Sequence, residues 1–451
     1  MDAITAAATA CLAVFTSSTD NAGRELFVTD GTPAGTGLLA DLVPGSEGSY
    51  PSSLTPYQGQ VYFTAYTKEH DGTGIWATDG TRAGTRLVVS PSIFPKNSSF
   101  HYNSNRLVKF DGKLLFMIQP FLGKPQLWIT DGTSAGSKLV ARLSGDFTSD
   151  GTDILIANDN YAILRVAEDN DQVSLGSLEA KTYKLRKLFS LHKNPKFWQN
   201  KVLHTENPVH FGRRDFAIGL TDENDFGYVS ILMTDGTVGG TRLLKNIGGE
   251  VRGFAGAEGL PYLTVASDDG WGISVRAVYG SQRWSEPLLV SDEDTTGDSD
   301  MLPMRSGTFN GVAYFTVDEW SSNNGLWITD LTAKGTRQKA KFSQSGRSYE
   351  FYSSKSDLGF LLIGEGNRGD RLSIFDDLKK KPTLSKDFQI STSYGVAVLG
   401  SDIVSGGSRD RLVAIDAATG AQTRLIGTRA PFVNSITAVP GKKGQRCATT
   451  G

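Results

Sequence analysis

The sequence predicts an all-β protein folded as a single closed β-propeller of four-stranded blades. Three observations point that way: a motif that returns at a near-constant interval, apolar segments around it that alternate with a period of two, and Gly-containing turns between those segments. The motif first appears as Glu25-Leu26-Phe27-Val28-Thr29-Asp30-Gly31-Thr32-Pro33-Ala34-Gly35-Thr36. It returns from Gly74 to Thr85, Gln126 to Ser137, Ser230 to Thr241 and Gly325 to Thr336, the last with Leu331 in place of the Gly after Asp.

Each copy reads as part of a four-stranded antiparallel unit. Ahead of the Asp, a large apolar residue (Phe27, Trp76, Trp128 or Trp327) stands two places before Thr29, Thr78, Thr130 or Thr329, the alternation of a strand with one buried face. Asp-Gly supplies a turn, since Asp bonds its own downstream amides and Gly accepts positive φ at no steric cost. A second strand follows in Leu38-Leu39, Leu87-Val88-Val89, Leu139-Val140 and Leu243-Leu244. Upstream lies a strand such as Val61-Tyr62-Phe63-Thr64, Leu114-Leu115-Phe116-Met117 or Ala313-Tyr314-Phe315-Thr316, introduced by Gln58-Gly59, Asp111-Gly112 or Asn310-Gly311. A further apolar segment precedes that turn, as in Ser53-Leu54-Thr55 and Arg106-Leu107-Val108.

The motif aspartates Asp30, Asp79 and Asp131 lie 49 and 52 residues apart, whereas the gaps to Asp235 and then Asp330 are 104 and 95 residues. Each long gap is about two periods and hides a degenerate unit, one between Tyr161 and Phe189 and one between Tyr262 and Val290. Two more follow, around Arg371–Asp376 and Arg411–Asp416. Nine blades are therefore expected, with eight as the alternative if one degenerate segment is an insertion. A tandem unit of roughly 40 to 50 residues with four strands is the propeller signature.

The repeat runs through the chain without a linker, so residues 1–451 are expected to form one domain. The first unit lacks its opening strand. Asn434-Ser435-Ile436-Thr437-Ala438-Val439-Pro440-Gly441 has the pattern of Ser52 to Gly59, so the segment 434–441 is expected to complete the first blade and close the ring by strand pairing. That closure brings the two cysteines of the chain, Cys11 and Cys447, to one blade. They are candidates for a disulfide in an oxidising compartment; the alternative is two unrelated thiols.

The net charge of −2, from 46 basic and 48 acidic residues, gives no electrostatic reason to expect nucleic acid or an anionic membrane surface. Nothing resembles a spanning helix of about 20 apolar residues. The segment Ala3 to Phe15 has no Lys or Arg before it, and its end aligns with the strand Val61 to Ala65, so it reads as structure rather than as a signal peptide.

Through its five plain units the chain resembles the bacterial family known for its Glu-Leu-Trp-x-x-Asp-Gly-Thr-x-x-Gly-Thr (ELWxxDGTxxGT) repeat. The resemblance implies a repeat protein, often exported and associated with the cell surface, and it carries no catalytic residue to transfer. Residues 411–425 look instead like one blade motif of the quinoprotein-type propellers. The function expected is a non-enzymatic binding or scaffold propeller presenting loops to a protein or glycan partner. The alternative is a carbohydrate-active lyase or hydrolase with its site over the central channel.

Candidate sites are few. The acidic run Asp292 to Asp300 has the spacing by which a short loop wraps calcium, through Asp292, Asp294, Thr296 and Asp300 with Gly297 at the sixth position. The other reading is a solvated acidic loop. His204, Glu206 and His210 are zinc-compatible types at a spacing that fits no established site. Trp198, Trp271, Trp284 and Trp320 lie off the repeat positions and are candidates for a recognition surface.

Overall fold

The computed structural model describes residues 11–100, 106–121, 123–143, 152–168, 172–191, 203–211, 215–222, 225–244, 250–255, 262–266, 273–280, 283–290, 302–318, 324–341, 349–353, 359–364, 370–388, 390–400, 402–407, 411–426, 433, 435–440 and 447–449. Among these residues the strands form nine sheets of four or five strands in a β-propeller arrangement, with consecutive strands paired antiparallel. The chain divides into two compact units, one of Met1–Val140, Tyr352–Asp376 and Lys381–Gly451, the other of Ala141–Phe351 and Asp377–Lys380.

In the first unit, the first sheet runs in the order Gly37–Ala40, Gly23–Thr29, Ala13–Thr19, Ser435–Ala438. The C-terminal strand is antiparallel to the N-terminal one, Ala13 facing Ala438 and Phe15 facing Ile436. The second sheet is Ser52–Tyr57, Gln60–Thr67, Gly72–Thr78 and Arg86–Val89. In the third, Lys113–Pro120 pairs with Gln126–Thr130 on one side and with both Ser98–Phe100 and Val108–Phe110 on the other. The ninth sheet holds Ile390–Leu399, Asp402–Gly407, Arg411–Asp416 and Gln422–Arg424, and Cys447–Thr449 adds to the free side of Ile390–Leu399. The second unit carries the fourth to seventh sheets, from Asp153–Ala157 through Arg337–Lys341.

The expectation of one buried face per strand is too small. In Gly23–Thr29 five consecutive residues, Glu25 to Thr29, are buried. A sheet packed between two others buries both sides of its pleat, so alternation assigns each side chain to a neighbour rather than to core or solvent. Leu26 and Val28 pack with Val61 and Phe63 of the second sheet, while Phe27 packs with Ala397, Leu399 and Val404 of the ninth.

This also explains the aromatic residue of the motif. Phe27, Trp76, Trp128 and Trp327 lie directly across from Phe15, Phe63, Phe116 and Phe315 on the adjacent strand. The pair Phe315–Trp327 stacks at 6.4 Å with the rings 7° from parallel, and Phe15–Phe27 stands at 5.5 Å. Cross-strand aromatic pairs of this kind add about 0.5–1 kcal/mol each beyond their burial.

Three two-residue turns between first and second strands hold positive φ at both central positions. The angles are 46° and 78° at Gln58-Gly59, 50° and 66° at Asp111-Gly112, and 47° and 73° at Asn310-Gly311. That is the backbone of a type I′ hairpin, whose twist matches the flanking strands.

Candidate functional site

The Asp-Gly-Thr segments adopt one geometry in all five copies, and the turn is longer than a two-residue hairpin. In the first, Asp30 Oδ1 accepts from the Thr32 amide at 2.9 Å and the Thr32 hydroxyl at 2.7 Å. Thr32 Oγ1 accepts from the Gly35 amide at 3.0 Å, Thr36 Oγ1 donates to the Thr32 carbonyl at 2.5 Å, and Thr29 Oγ1 accepts from the Gly31 amide at 3.0 Å. The network repeats at Asp79, Asp131, Asp235 and Asp330. At Asp330 the Thr332 hydroxyl and amide, both bonded to the carboxylate, hold it below the ordinary aspartate range.

The second glycine of each copy is explained by contact. A Cβ on Gly35, Gly84, Gly136, Gly240 or Gly335 would sit about 2 Å from the carboxylate of its own turn. The first glycine supplies φ between 86° and 97°, and Leu331 is held at 70° where the other copies have glycine. The motif closes its own hydrogen bonds at one corner of the five sheets that carry it, and in the third copy Ser134 also bonds the Ser90 amide and the Val88 carbonyl.

Glu25, the first residue of the first copy, stands where the other copies have Gly74, Gln126, Ser230 and Gly325. Its side chain is fully buried. Oε1 accepts from the amides of Val43 at 3.1 Å and Ser49 at 2.9 Å, and Oε2 accepts from the Ser49 hydroxyl at 2.5 Å. Burial raises its proton affinity above the ordinary glutamate range, against the opposing effect of the Ser49 hydroxyl and the backbone donors. The carboxyl thus ties the connector between the first and second sheets to the strand Gly23–Thr29.

Backbone contacts tighten the same connection. The amides of Ser49 and Tyr50 both donate to the Arg24 carbonyl at 3.1 Å, and the Tyr66 amide donates to the Ser49 carbonyl at 2.8 Å. A Cβ on Gly23 would lie 2.6 Å from Gly48 N and Ser46 O.

Beside this connector lies an open cleft of about 630 Å³, within the usual range for small-ligand sites. Glu47, Tyr50, Ser52, Tyr66, Thr73 and Ser99 line it. It lies at the end of the second sheet that carries the Thr67–Gly72 hairpin connection, opposite the end carrying the Asp-Gly-Thr turn. Glu47 pairs loosely with Lys68 at 3.7 Å, both side chains exposed, and the Tyr66 hydroxyl donates to Asp71 Oδ1 at 2.8 Å. That bond to a carboxylate favours the neutral phenol and raises its proton affinity.

None of the residues singled out from sequence is among those lining the cleft. Asp292, Asp294, Thr296 and Asp300 lie outside the described residues, as do Trp198, Trp271 and Trp320. His204, Glu206 and His210 fall on the strand Leu203–Phe211, whose pairing shifts register between Glu206 and Val209, around Pro208. Among the described residues no group of three His, Cys, Asp or Glu stands ready for a metal ion, and no helix is long and apolar enough to cross a membrane. Cys11 is disulfide-bonded, and Cys447 is the other cysteine of the chain. Cys447 faces Leu399 of the ninth sheet, whereas the expectation put both cysteines on the first. The cleft was not foreseen. Its one signal in the sequence is that only the first copy of the motif starts with Glu, followed by Gly48-Ser49-Tyr50-Pro51 in the connector.

No protein-family model matches the chain, and no curated protein matches it. Solved structures resemble it at low identity. A variant of puromycin hydrolase complexed with PGG is 12% identical at a TM-score of 0.41, over 92% of this chain and 57% of that one, so the present chain spans little more than half its length. The dihydro-heme d1 dehydrogenase NirN in complex with DHE is 11% identical at 0.44, over 86% and 77% of the two chains. An oligogalacturonate lyase in complex with manganese is 12% identical at 0.38, over 81% and 84%. At TM-scores below 0.5 these likenesses carry no argument about activity.

Proposed function

We propose that this chain is a non-enzymatic binding or scaffold propeller that presents its inter-blade connectors to a protein or glycan partner. One observation carries the reading. The polar groups of the repeated motif bond to one another inside each turn, so the motif builds blades and leaves ligand recognition to the connectors. Among these connectors, the one anchored by Glu25 is held to its blade by three hydrogen bonds to a buried carboxyl. Supporting the expected extracellular or cell-surface location, Cys11 is disulfide-bonded, as oxidising compartments allow.

The nine sheets are proposed to close as one ring of nine blades. In support, the first unit contains five consecutive sheets joined by shared cores, the eighth on the ninth, the ninth on the first, the first on the second and the second on the third. Counting blades around the axis in an electron-microscopy map tests this, and two separate rings refute it. Function is tested by affinity electrophoresis of the intact chain in gels containing neutral and acidic polysaccharides, with product analysis of the same mixtures. Retardation without chain cleavage is expected. Release of new reducing ends or unsaturated sugars refutes the non-enzymatic reading and establishes the lyase or hydrolase one.

A further inference from the structure

From the cleft beside the Glu25-anchored connector, we infer a binding site for a short neutral oligosaccharide, with Tyr50 as its principal platform. The inference rests on the binding reading above and names the ligand class. Three independent features meet there.

The first is strain. Tyr50 is a bulky aromatic residue held at φ 52°, in the left-handed region, with 62% of its surface exposed. Such a conformation costs on the order of 1–3 kcal/mol and persists only where surrounding bonds over-determine it. Here they do: its amide and that of Ser49 share the Arg24 carbonyl, and Ser49 is clamped to Glu25 by hydroxyl and amide. An exposed side chain contributes little to folding, so nothing in the core explains holding a tyrosine in this way. The result is an aromatic plate with a fixed backbone at the mouth of a cleft.

The second is the chemistry of the lining. With Tyr50 the lining includes a second aromatic residue, Tyr66, the hydroxyl-bearing Ser52, Thr73 and Ser99, and the buried Phe100. Sugars present apolar C–H faces and a ring of hydroxyls, a combination met by aromatic faces bordered by short hydroxyl side chains. Tyr66 has its phenol fixed by Asp71, which sets the ring orientation.

The third is charge. The one charged residue of the lining is the carboxylate of Glu47, exposed and only loosely paired with Lys68 at 3.7 Å. No cation of the lining is available to pair an acidic sugar, and Glu47 can instead accept two hydroxyls, the ion pair being exposed and worth little. The site therefore selects neutral saccharides over uronates.

The test uses the full chain and saturation-transfer NMR with cellotriose, maltotriose, mannotriose, chitotriose and, as the acidic comparison, trigalacturonate. At least one neutral trisaccharide is expected to bind, with trigalacturonate at least tenfold weaker. Tyr50→Ala is expected to weaken that binding about tenfold while leaving the melting temperature nearly unchanged, because the exposed ring contributes little to folding and alanine keeps the same Cβ at positive φ. Glu47→Gln serves as a second variant, remote from the buried anchor, and is expected to weaken binding severalfold. Two outcomes overturn the inference: no neutral trisaccharide binds, or one binds equally well to Tyr50→Ala. The polysaccharide gels separate this from the wider reading, since retardation unchanged by Tyr50→Ala leaves the propeller a binder and removes the cleft as its site.

Discussion

Replacing Glu25 with alanine removes the acceptor of three hydrogen bonds inside the first sheet and its connector. The Val43 amide at 3.1 Å loses its side-chain partner, and so does the Ser49 hydroxyl at 2.5 Å, whereas the Ser49 amide keeps the Arg24 carbonyl at 3.1 Å. A buried donor left unsatisfied costs about 1–3 kcal/mol, and the hydroxyl can turn to another acceptor, so the loss is about 1–3 kcal/mol, set by the Val43 amide. Glu25→Gln is the control. Its amide oxygen replaces Oε1 and its N–H can donate to Ser49 Oγ, so it is expected within about 1 kcal/mol of the parent chain.

The pH dependence has a definite sign. The folded-state affinity of Glu25 for its proton is raised, chiefly by burial. The native chain therefore holds the proton where the unfolded chain has released it. Its contribution to stability is complete below the unfolded glutamate value of about 4.3 and declines as pH rises from there through the raised folded value. Relative to Glu25→Gln, the parent chain is expected to lose stability across that window. Urea unfolding followed by tryptophan fluorescence, at pH 4 to 8, measures both effects. An alanine variant as stable as the parent, a glutamine variant as damaged as alanine, or an opposite pH slope refutes the assignment of Glu25 as the anchor.

Gly23 and Gly59 both hold positive φ, 62° and 78°, but a Cβ on Gly23 meets backbone at 2.6 Å while one on Gly59 meets open space. Gly59→Ala is expected to cost about 1 kcal/mol and Gly23→Ala at least twice that, in the same urea assay; equal costs would show that φ alone matters. Deleting residues 431–451 removes the partner of Ala13–Thr19 and leaves an open sheet edge, so aggregation or a large fall in melting temperature is expected by light scattering and calorimetry. Reduction by dithiothreitol is expected to have a smaller effect on the melting temperature, and a larger one would make the Cys11 bond the main closure. For the acidic run, we propose structural calcium binding through Asp292, Asp294, Thr296 and Asp300; millimolar calcium is expected to raise the melting temperature over EDTA in the parent chain and not in an Asp292→Ala, Asp294→Ala variant.

The sequence alone determined whatever is made by bonds between near neighbours. The seven residues from Asp30 to Thr36 close their own network, and Gln58-Gly59 or Asn310-Gly311 carry their turn in two residues, so five copies could be read directly and the strands counted between them. The tertiary structure decided what depends on which sheet stands next to which. Phe27 and Leu26 are adjacent in sequence and both apolar, yet one packs on the ninth sheet and the other on the second, a division that a period of two cannot label. Glu25 looked like the first letter of a repeat, and its role appeared only when the chain folded Val43 and Ser49, 18 and 24 residues away, onto its carboxyl. Tyr50 has no periodicity to announce it. Its exposure and its left-handed backbone follow from that buried carboxyl and from the close approach of Gly23 to Gly48, and both are long-range packing facts that no local pattern encodes.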